Sequence, residues 1–436
     1  LKHNDLVFDK VVSSEEQKRV ETLAIQKGCN PEMFSQTAGL RVAEAIDRYC
    51  KKHHLDRVVH GLIGKGNNGK DGLYALKYLS EMGFSVFQDL KHLEKKGVIL
   101  DALYGIGFHG EIEKEEAREV KIANQSGLKI IALDIPSGVN GTSGDVSHTH
   151  IVADHVVAIG TYKLGHLIGS GYQTFKTIEL VDFGWDRSYY DQLQEVYRVV
   201  CMDALHEPEL AKKIHKYDRG YIGIVAGSKG LEGAAFLSAS AALKAGAGMV
   251  RVFADEHFHL PLVEAVFSEQ TMEQFRAIYP KLDAVVIGCG LDETKKPLIQ
   301  EILEYISEHP KPLIVDAGAI GVYSEMSKRP FAILTPNGAE MRHLRGKPQQ
   351  GFILYEKGPP TWIFEPGEKK PYVIIEAEER LATAGTGDLL SGVMASYLVR
   401  TQDYVLAAAL ASKRILEAAA SAEGMFPTAT DILKKI

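Results

Sequence analysis

The stretch LATAGTGDLLSG, residues 381–392, decides how the second half of this chain folds. Small residues crowd into a turn, an acid follows at Asp388, and an apolar run opens at Leu389. This is the composition of a helix start whose first turn faces an anion. Gly385 and Gly387 let the backbone approach closely, and the unpaired amides of a first helical turn carry partial positive charge. Asp388 then stands beside the anion, where a general base works on a hydroxyl group. A glycine-rich loop that merely starts a helix is the plainer reading. The full AGTGD followed by an apolar helix favours the functional one.

Outward from this motif, the second half alternates strands and helices. YIGIVAGS (221–228) reads as a strand and GAAFLSASAALKAGAG (233–248) as a helix whose small residues favour close packing against a sheet. Strands are expected at 249–254, 283–288, 312–317 and 331–335, and helices at 297–308 and 338–344. Residues 352–364 and 371–376 read as a hairpin or edge strands, and the Ala-rich region 402–422 as a core helix. The pattern predicts a largely parallel sheet with helices on its faces. Its strand ends carry Gly288-Cys289-Gly290, Asp316 and Thr335-Pro336-Asn337, and the helix start at Gly233-Ala234 offers another ligand edge.

The first half has the same alternation. Two helices are expected, 14–27 behind Ser13-Ser14 and 31–53 with Pro31 in its first turn. The strand Arg57–Leu62 runs into GKGNNGKDGLYALKYLSEMG (64–83), a strand, Gly-rich turn and helix in succession. The spacing of Lys65 and Lys70 is that of neither a P-loop nor a dinucleotide fingerprint. Two more apolar runs end in acids, Asp101 before the glycines of a loop through Gly110, and Asp134 before Pro136-Ser137-Gly138. Parallel strands deliver their C-terminal loops to one sheet edge. Asn68, Asp101, Asp134 and Ser137 are therefore expected in one pocket, an oxygen-rich set suited to a hard cation and a hydroxylated ligand. Strands at 152–159 and 176–182 complete the domain, and His148, His150 and His155 are read as surface or loop residues. The pattern loosens over YYDQLQE, placing the boundary near 187–200 and the domains at 1–198 and 199–436.

Bulk properties narrow the function. The chain has 436 residues, long enough for two or three domains, with 45% hydrophobic and 25% charged residues. A net charge of −7 argues against nucleic-acid or membrane-surface binding as its main task. No apolar run is long enough to span a bilayer, and the start, Leu1-Lys2-His3-Asn4, has no signal-peptide core and no initiator Met. Cys29, Cys50, Cys201 and Cys289 lie far apart, as expected of reduced thiols in a cytoplasmic protein. The pairs His53-His54, His148-x-His150 and His257-x-His259 lack the partners of a structural metal site.

Taken together, the motifs resemble those of the bifunctional NAD(P)H-hydrate repair enzymes over nearly the whole chain. GKGNNGKDG, DALYGIGFHG and DIPSGVNG resemble the epimerase domain. GIVAGSKGLEGAA, VIGCGL, VDAGAI, LTPNGAEM, EKGPPT and ATAGTGDLLSG resemble the ADP- or ATP-dependent dehydratase domain. The resemblance implies an α/β protein of two domains: an N-terminal Rossmann-like three-layer α/β/α domain and a C-terminal ribokinase-like α/β domain. It implies hydrated NADH and NADPH as substrates.

By that resemblance Asn68, Asp101 and Ser137 hold a potassium ion. Asn67, Asn68, Gly69, Lys70 and Asp71, the run Gly105, Ile106, Gly107, Phe108, His109, Gly110 and Glu111, and Asp134 bind the hydrate, with Asp134 as the acid/base residue. Lys163 adds positive charge near phosphate. In the second half Lys357, Gly358, Pro359, Pro360, Thr361 and Gly387 contact the nucleotide, which brings magnesium bound chiefly through phosphates and water. Asp388 is the base that activates the substrate hydroxyl, and Ala234, Gly288, Gly290 and Asn337 contact the hydrate. The chain departs from the family pattern where Lys70 replaces a Gly, Asn337 a His and Asp292 a Gly. The segments Phe87–Gly97 and Arg345–Gly351 are short for the family, as if loops were missing. Ala-rich helical faces suggest a homo-oligomer.

Two other function classes compete. One keeps only a vitamin or sugar kinase activity in the second half, since AGTGD is shared across ribokinase-like folds. The other makes the first half a binding module, against which the retained Asn68, Asp101, Asp134 and Ser137 argue.

Overall fold

A computed structural model describes residues 6–91, 93–208, 215–255, 262–344 and 351–436. The chain start, the His257/His259 pair and most of the short segment before Gly351 lie outside the described residues. Two compact units emerge, Asp9–Val199 and, with Leu1–Phe8, Val200–Ile436.

The first unit contains β1 (Phe8–Val12), α1 (Ser14–Gln26), α2 (Pro31–Lys52), β2 (Val58–Ile63), α3 (Asn67–Glu81), β3 (Ser85–Phe87) and β4 (Val98–Ala102). It continues with α4 (Lys114–Gln125), β5 (Lys129–Leu133), β6 (Ala153–Ile159), β7 (Tyr162–Lys163), β8 (Phe175–Val181), α5 (Arg187–Gln192) and β9 (Tyr197–Val200). Its main sheet is parallel throughout, in the order β3-β2-β4-β5-β6-β8. β1 pairs in parallel with β7, bringing Val12 opposite Lys163. Ser13 and Asn30 cap the first two helices by accepting from Glu16 N and Glu32 N. Along β5, Ile131 and Leu133 join the core under α1, α2 and α3, while Ile130 and Ala132 join the core under α4. Both sheet faces are covered, which explains why these strands read as unbroken apolar runs. His155 corrects the surface reading: it lies on β6, is buried, and its ring meets Thr177 Oγ1 at 2.8 Å and Glu179 Oε1 at 3.1 Å.

The second unit contains β10 (Tyr221–Val225), α6 (Glu232–Lys244), β11 (Met249–Ala254), β12 (Val266–Glu269), α7 (Met272–Ile278), β13 (Ala284–Ile287), α8 (Lys296–Glu308) and β14 (Leu313–Val315). There follow α9 (Gly318–Glu325), β15 (Ala332–Leu334), β16 (Phe352–Glu356), β17 (Thr361–Phe364), β18 (Tyr372–Ile374), α10 (Thr386–Thr401), α11 (Tyr404–Ser421) and α12 (Ala429–Leu433). Seven strands run parallel in the order β12-β11-β10-β13-β14-β15-β16, and β17 and β18 add on as antiparallel strands. One face packs on α6, α10 and α11, the other on α7, α8 and α9. The small residues of α6 serve a helix neighbour as well as the sheet: a Cβ on Gly392 of α10 would lie 2.1 Å from Ser238 O. The helix expected at 338–344 is a single tight turn, Glu340–His343. Before that turn, Asn337 Oδ1 accepts from Ala339 N (2.9 Å) and Glu340 N (3.0 Å).

Candidate active sites

In the first unit the loops after β2, β4 and β5 open on a cavity of about 1020 Å³. Of the sequence-predicted residues, Asn67, Asn68, Lys70, Asp71, Gly105, Ile106, Gly107, Phe108, His109, Glu111 and Asp134 line it. Gly69 and Gly110 are not in the lining. Gly69 instead lets α3 pack on the preceding turn, since a Cβ there would lie 1.9 Å from Gly64 O. Asp101 and Ser137 are wholly buried. Ser137 donates from Oγ (2.6 Å) and N (2.8 Å) to the Asp101 carboxylate, and Leu103 N donates at 3.3 Å. Ser137 Oγ in turn accepts from Tyr104 N at 2.9 Å. The Asn68 amide donates to Tyr104 O at 2.9 Å and reaches Leu133 O at 3.5 Å. Asn68, Asp101 and Ser137 are thus joined through the Tyr104 backbone. Burial pushes the Asp101 carboxyl up to about 6, against its three hydrogen bonds.

Asp134 follows β5 with φ at 65°, a left-handed conformation costly for a residue with a Cβ and characteristic of functional sites. Its Oδ1 accepts from Lys163 Nζ at 2.5 Å and Ile159 N at 3.0 Å. Lys163 is only 1% exposed and also donates to Ile159 O and Thr161 O. Lys163, paired into the sheet through β1–β7, stands in the cavity lining as a buried counter-charge to Asp134. His166 Nδ1 accepts from Lys163 N, so the proton resides on Nε2, which donates to Asp134 O at 2.8 Å. Burial, aided by Lys163, drives the His166 pKa down to about 4, keeping the ring neutral. Asp71, on α3, is pushed up to about 7, chiefly by burial and then by the Asp134 and Glu21 charges, with Ser35 opposing.

In the second unit α10 starts at Thr386, with Gly385 at φ 93° before it and Asp388 in its first turn. A Cβ on Gly385 would lie 2.5 Å from Leu237 Cδ1, so both backbone conformation and space demand glycine. Around Asp388 stands a cluster centred on Asp316, at the end of β14. Asp316 accepts from Lys357 Nζ and Thr335 Oγ1, each at 2.8 Å, and from Ser391 Oγ at 2.9 Å. The Cys289 thiol lies 3.7 Å from Asp316, and ligand atoms of Cys289, Asp316 and Asp388 fall within 4.8 Å of one another. Burial, then the Asp316 charge, pushes Asp388 up to about 6. Burial opposes charge on Lys357, yet the Asp316 carboxylate outweighs it and raises that ammonium above its usual range.

The structure brings Lys357 to Gly387, whose added Cβ would be 3.3 Å from Lys357 Nζ, and Gly290 to Ala234, 2.7 Å on the same measure. Gly358, Pro359, Pro360 and Thr361 form the β16–β17 turn, with Thr361 Oγ1 donating to Gly358 O at 2.8 Å and a cis Pro359–Pro360 peptide. A Cβ on Gly288 would meet Asp316 O at 1.8 Å, which fixes the turn before Cys289. Asn337 Oδ1 is occupied by its own turn. Sequence reasoning noted Asp316 as a strand-end acid and gave it no role. VDAGAI carried the signal, because its acid ends an apolar run as Asp101 and Asp134 do. Gln17 and Glu21 of α1, which also line the first cavity, carried no motif.

In comparison with known proteins, a family model matches residues in each unit. A model described as "NAD(P)H-hydrate dehydratase" matches residues 222–436, and one described as "YjeF-related protein N-terminus" matches 85–165. A bifunctional NAD(P)H-hydrate repair enzyme of Thermofilum pendens is 27% identical, over 89% of this chain and 87% of that protein. One of Coxiella burnetii is 28% identical, over 86% of this chain and 87% of its own. Among solved structures, an ADP/ATP-dependent NAD(P)H-hydrate dehydratase from Bacillus subtilis, co-crystallized with ATP and Mg2+, is 22% identical. It covers 54% of this chain and 93% of its own, with a TM-score of 0.47.

Proposed function

We propose that this chain, which belongs to the bifunctional NAD(P)H-hydrate repair family, restores hydrated NADH and NADPH with two separate sites. The first unit interconverts the R and S forms of the hydrated nicotinamide ring. The second uses ADP or ATP to dehydrate the S form back to the reduced cofactor. The observation that carries the reading is the pairing of chemistries: a carboxylate, Asp134, held by a buried ammonium in a wide cavity, and Asp388 at a helix start beside Lys357.

In the second site Asp388 takes the proton of the ring hydroxyl, and the oxygen attacks the terminal phosphoryl group of the nucleotide. The α10 amides around Ala384–Gly387 and the Lys357 ammonium receive the developing negative charge. Asp316 aims Lys357 and keeps it charged. Phosphate then leaves with the ring oxygen while the neighbouring carbon gives up a proton and the double bond forms. Magnesium would accompany the nucleotide through its phosphates and water. In the first site the Asp134 carboxylate exchanges a proton with the oxygen that leaves and rejoins the hydroxyl-bearing carbon, with Lys163 fixing its position.

Potassium fits the residues beneath that cavity. Asp101 is wholly buried and its hydrogen-bond donors are all neutral, so a monovalent cation would supply the missing charge. Asn68, Asp101 and Ser137 offer only amide, carboxylate and hydroxyl oxygens, the donor set of a hard cation. The ion, when bound, contributes fixed positive charge under the loop ends. A homo-oligomer in the cytoplasm without nucleic-acid partners completes the proposal; the net negative charge and the lack of a disulfide among the four cysteines support the latter two parts. Among the described residues no helix is long and apolar enough to cross a membrane. The test is product analysis on S hydrate with ADP or ATP: free phosphate and reduced cofactor are expected in equal amounts. Accumulation of a stable phosphorylated substrate would instead make the second unit a kinase.

A further inference from the structure

We infer that Glu21, on the cavity face of α1, is a second proton-carrying group of the first site, working with Asp134; the inference rests on the epimerase reading above. Helix α1 presents Gln17, Lys18, Glu21, Thr22 and Ile25 to the cavity, the spacing of one helical face. Gln17 is 1% exposed, and its amide works in both directions. Its Nε2 donates to Glu21 Oε1 at 2.9 Å, and its Oε1 accepts from Thr161 Oγ1 at 2.8 Å. The Thr161 carbonyl accepts from Lys163 Nζ at 3.0 Å, and Lys163 holds Asp134. One continuous line of hydrogen bonds therefore positions both carboxyl groups on the same cavity. A buried glutamine that ties a cavity-lining acid to the Lys163–Asp134 pair is a built arrangement, since each buried polar atom of Gln17 has a partner.

The charged surroundings divide the two acids into different tasks. Glu21 faces Lys18 on its own helix, Asp71 on α3, and Asp134 and Lys163 across the cavity. Burial raises its pKa, and Asp134 adds to this while Gln17, Lys163 and Lys18 oppose. Asp134, by contrast, is salt-bridged to Lys163. One carboxyl group held by a neutral amide and one held by an ammonium, facing the same cavity, is the arrangement that separates donor from acceptor. In the reaction the ring nitrogen's lone pair forms a carbon–nitrogen double bond as the carbon–oxygen bond breaks. The hydroxyl leaves as water with the proton of Glu21. A water then adds to the opposite face and gives its proton to Asp134. In the reverse direction the two carboxyl groups exchange roles, so no other reactant is consumed.

The experiment uses the full chain with pure R hydrate and no nucleotide, following R-to-S conversion by chromatography across pH. Glu21→Gln is expected to lower kcat by about 100-fold or more with KM little changed. The limb of the pH profile that requires a protonated group disappears. In Glu21→Ala, added formate or acetate restores exchange, and dehydration of S hydrate proceeds at the normal rate in both variants. Exchange by Glu21→Gln at the wild-type rate would overturn the inference. So would an Ala variant that no carboxylic acid rescues, or one whose loss lies wholly in KM. Failure of the wild-type chain to exchange R and S at all would overturn the epimerase reading instead.

Discussion

Asp388 and Asp134 are both acids at the start of a loop or helix, yet different neighbours prepare them. Burial and then the Asp316 carboxylate raise the Asp388 pKa to about 6, against the Cys289 thiol and the Lys357 ammonium. A base must be ionised to work, so kcat/KM for dehydration is expected to fall as pH drops through about 6. The stability consequence has the opposite sign. A carboxyl with a raised folded-state pKa favours the fold below its unfolded value near 3.8, and loses that contribution as pH rises through 6. Asp388→Asn is expected to stop release of reduced cofactor while R/S exchange continues; normal release would remove Asp388 from the mechanism. For Asp134 the neighbour is the Lys163 ammonium. Lys163→Met leaves a buried carboxylate unpaired and is expected to cost about 3–5 kcal/mol in urea unfolding of the first unit. Exchange should fail with it. A variant as stable as the parent would mean that Asp134 finds compensation elsewhere.

At the scale of elements, α10 is where backbone geometry and chemistry coincide. Gly385→Ala sets a Cβ on a left-handed residue and against Leu237, and is expected to cost at least about 1–2 kcal/mol in the second unit. Nucleotide KM should rise with it, measured with S hydrate in excess. An unchanged unfolding midpoint would show that the turn tolerates a side chain. Much of this level is legible in sequence. Strand-ending acids after apolar runs pointed to Asp101 and Asp134, because parallel strands buried on both faces leave few other places for an acid, and the small-residue AGTGD turn pointed to Asp388. What stayed hidden depends on pairing between distant segments. Lys163 reads as a free cation after a strand, and only the β1–β7 register buries it against Asp134. Gln17 and Glu21 look like the polar side of an amphipathic helix, which they would be without a cavity above them.

For the whole molecule, the central claim is that two independent sites act in sequence on one damaged cofactor. The first unit holds the Asp134–Lys163 pair, and the second holds Asp388 with the Lys357–Asp316 pair. Because the S hydrate is a free intermediate, Asp134→Asn and Asp388→Asn proteins mixed together should repair what neither repairs alone. The most direct measurement gives an R and S hydrate mixture, with ADP or ATP, to the parent chain, to each variant and to their mixture, and follows the absorbance of the reduced nicotinamide. The account predicts complete recovery by the parent and the mixture, recovery of the S portion alone by Asp134→Asn, and none by Asp388→Asn. Complete and equally rapid recovery by Asp134→Asn alone, or none by the parent, would contradict it.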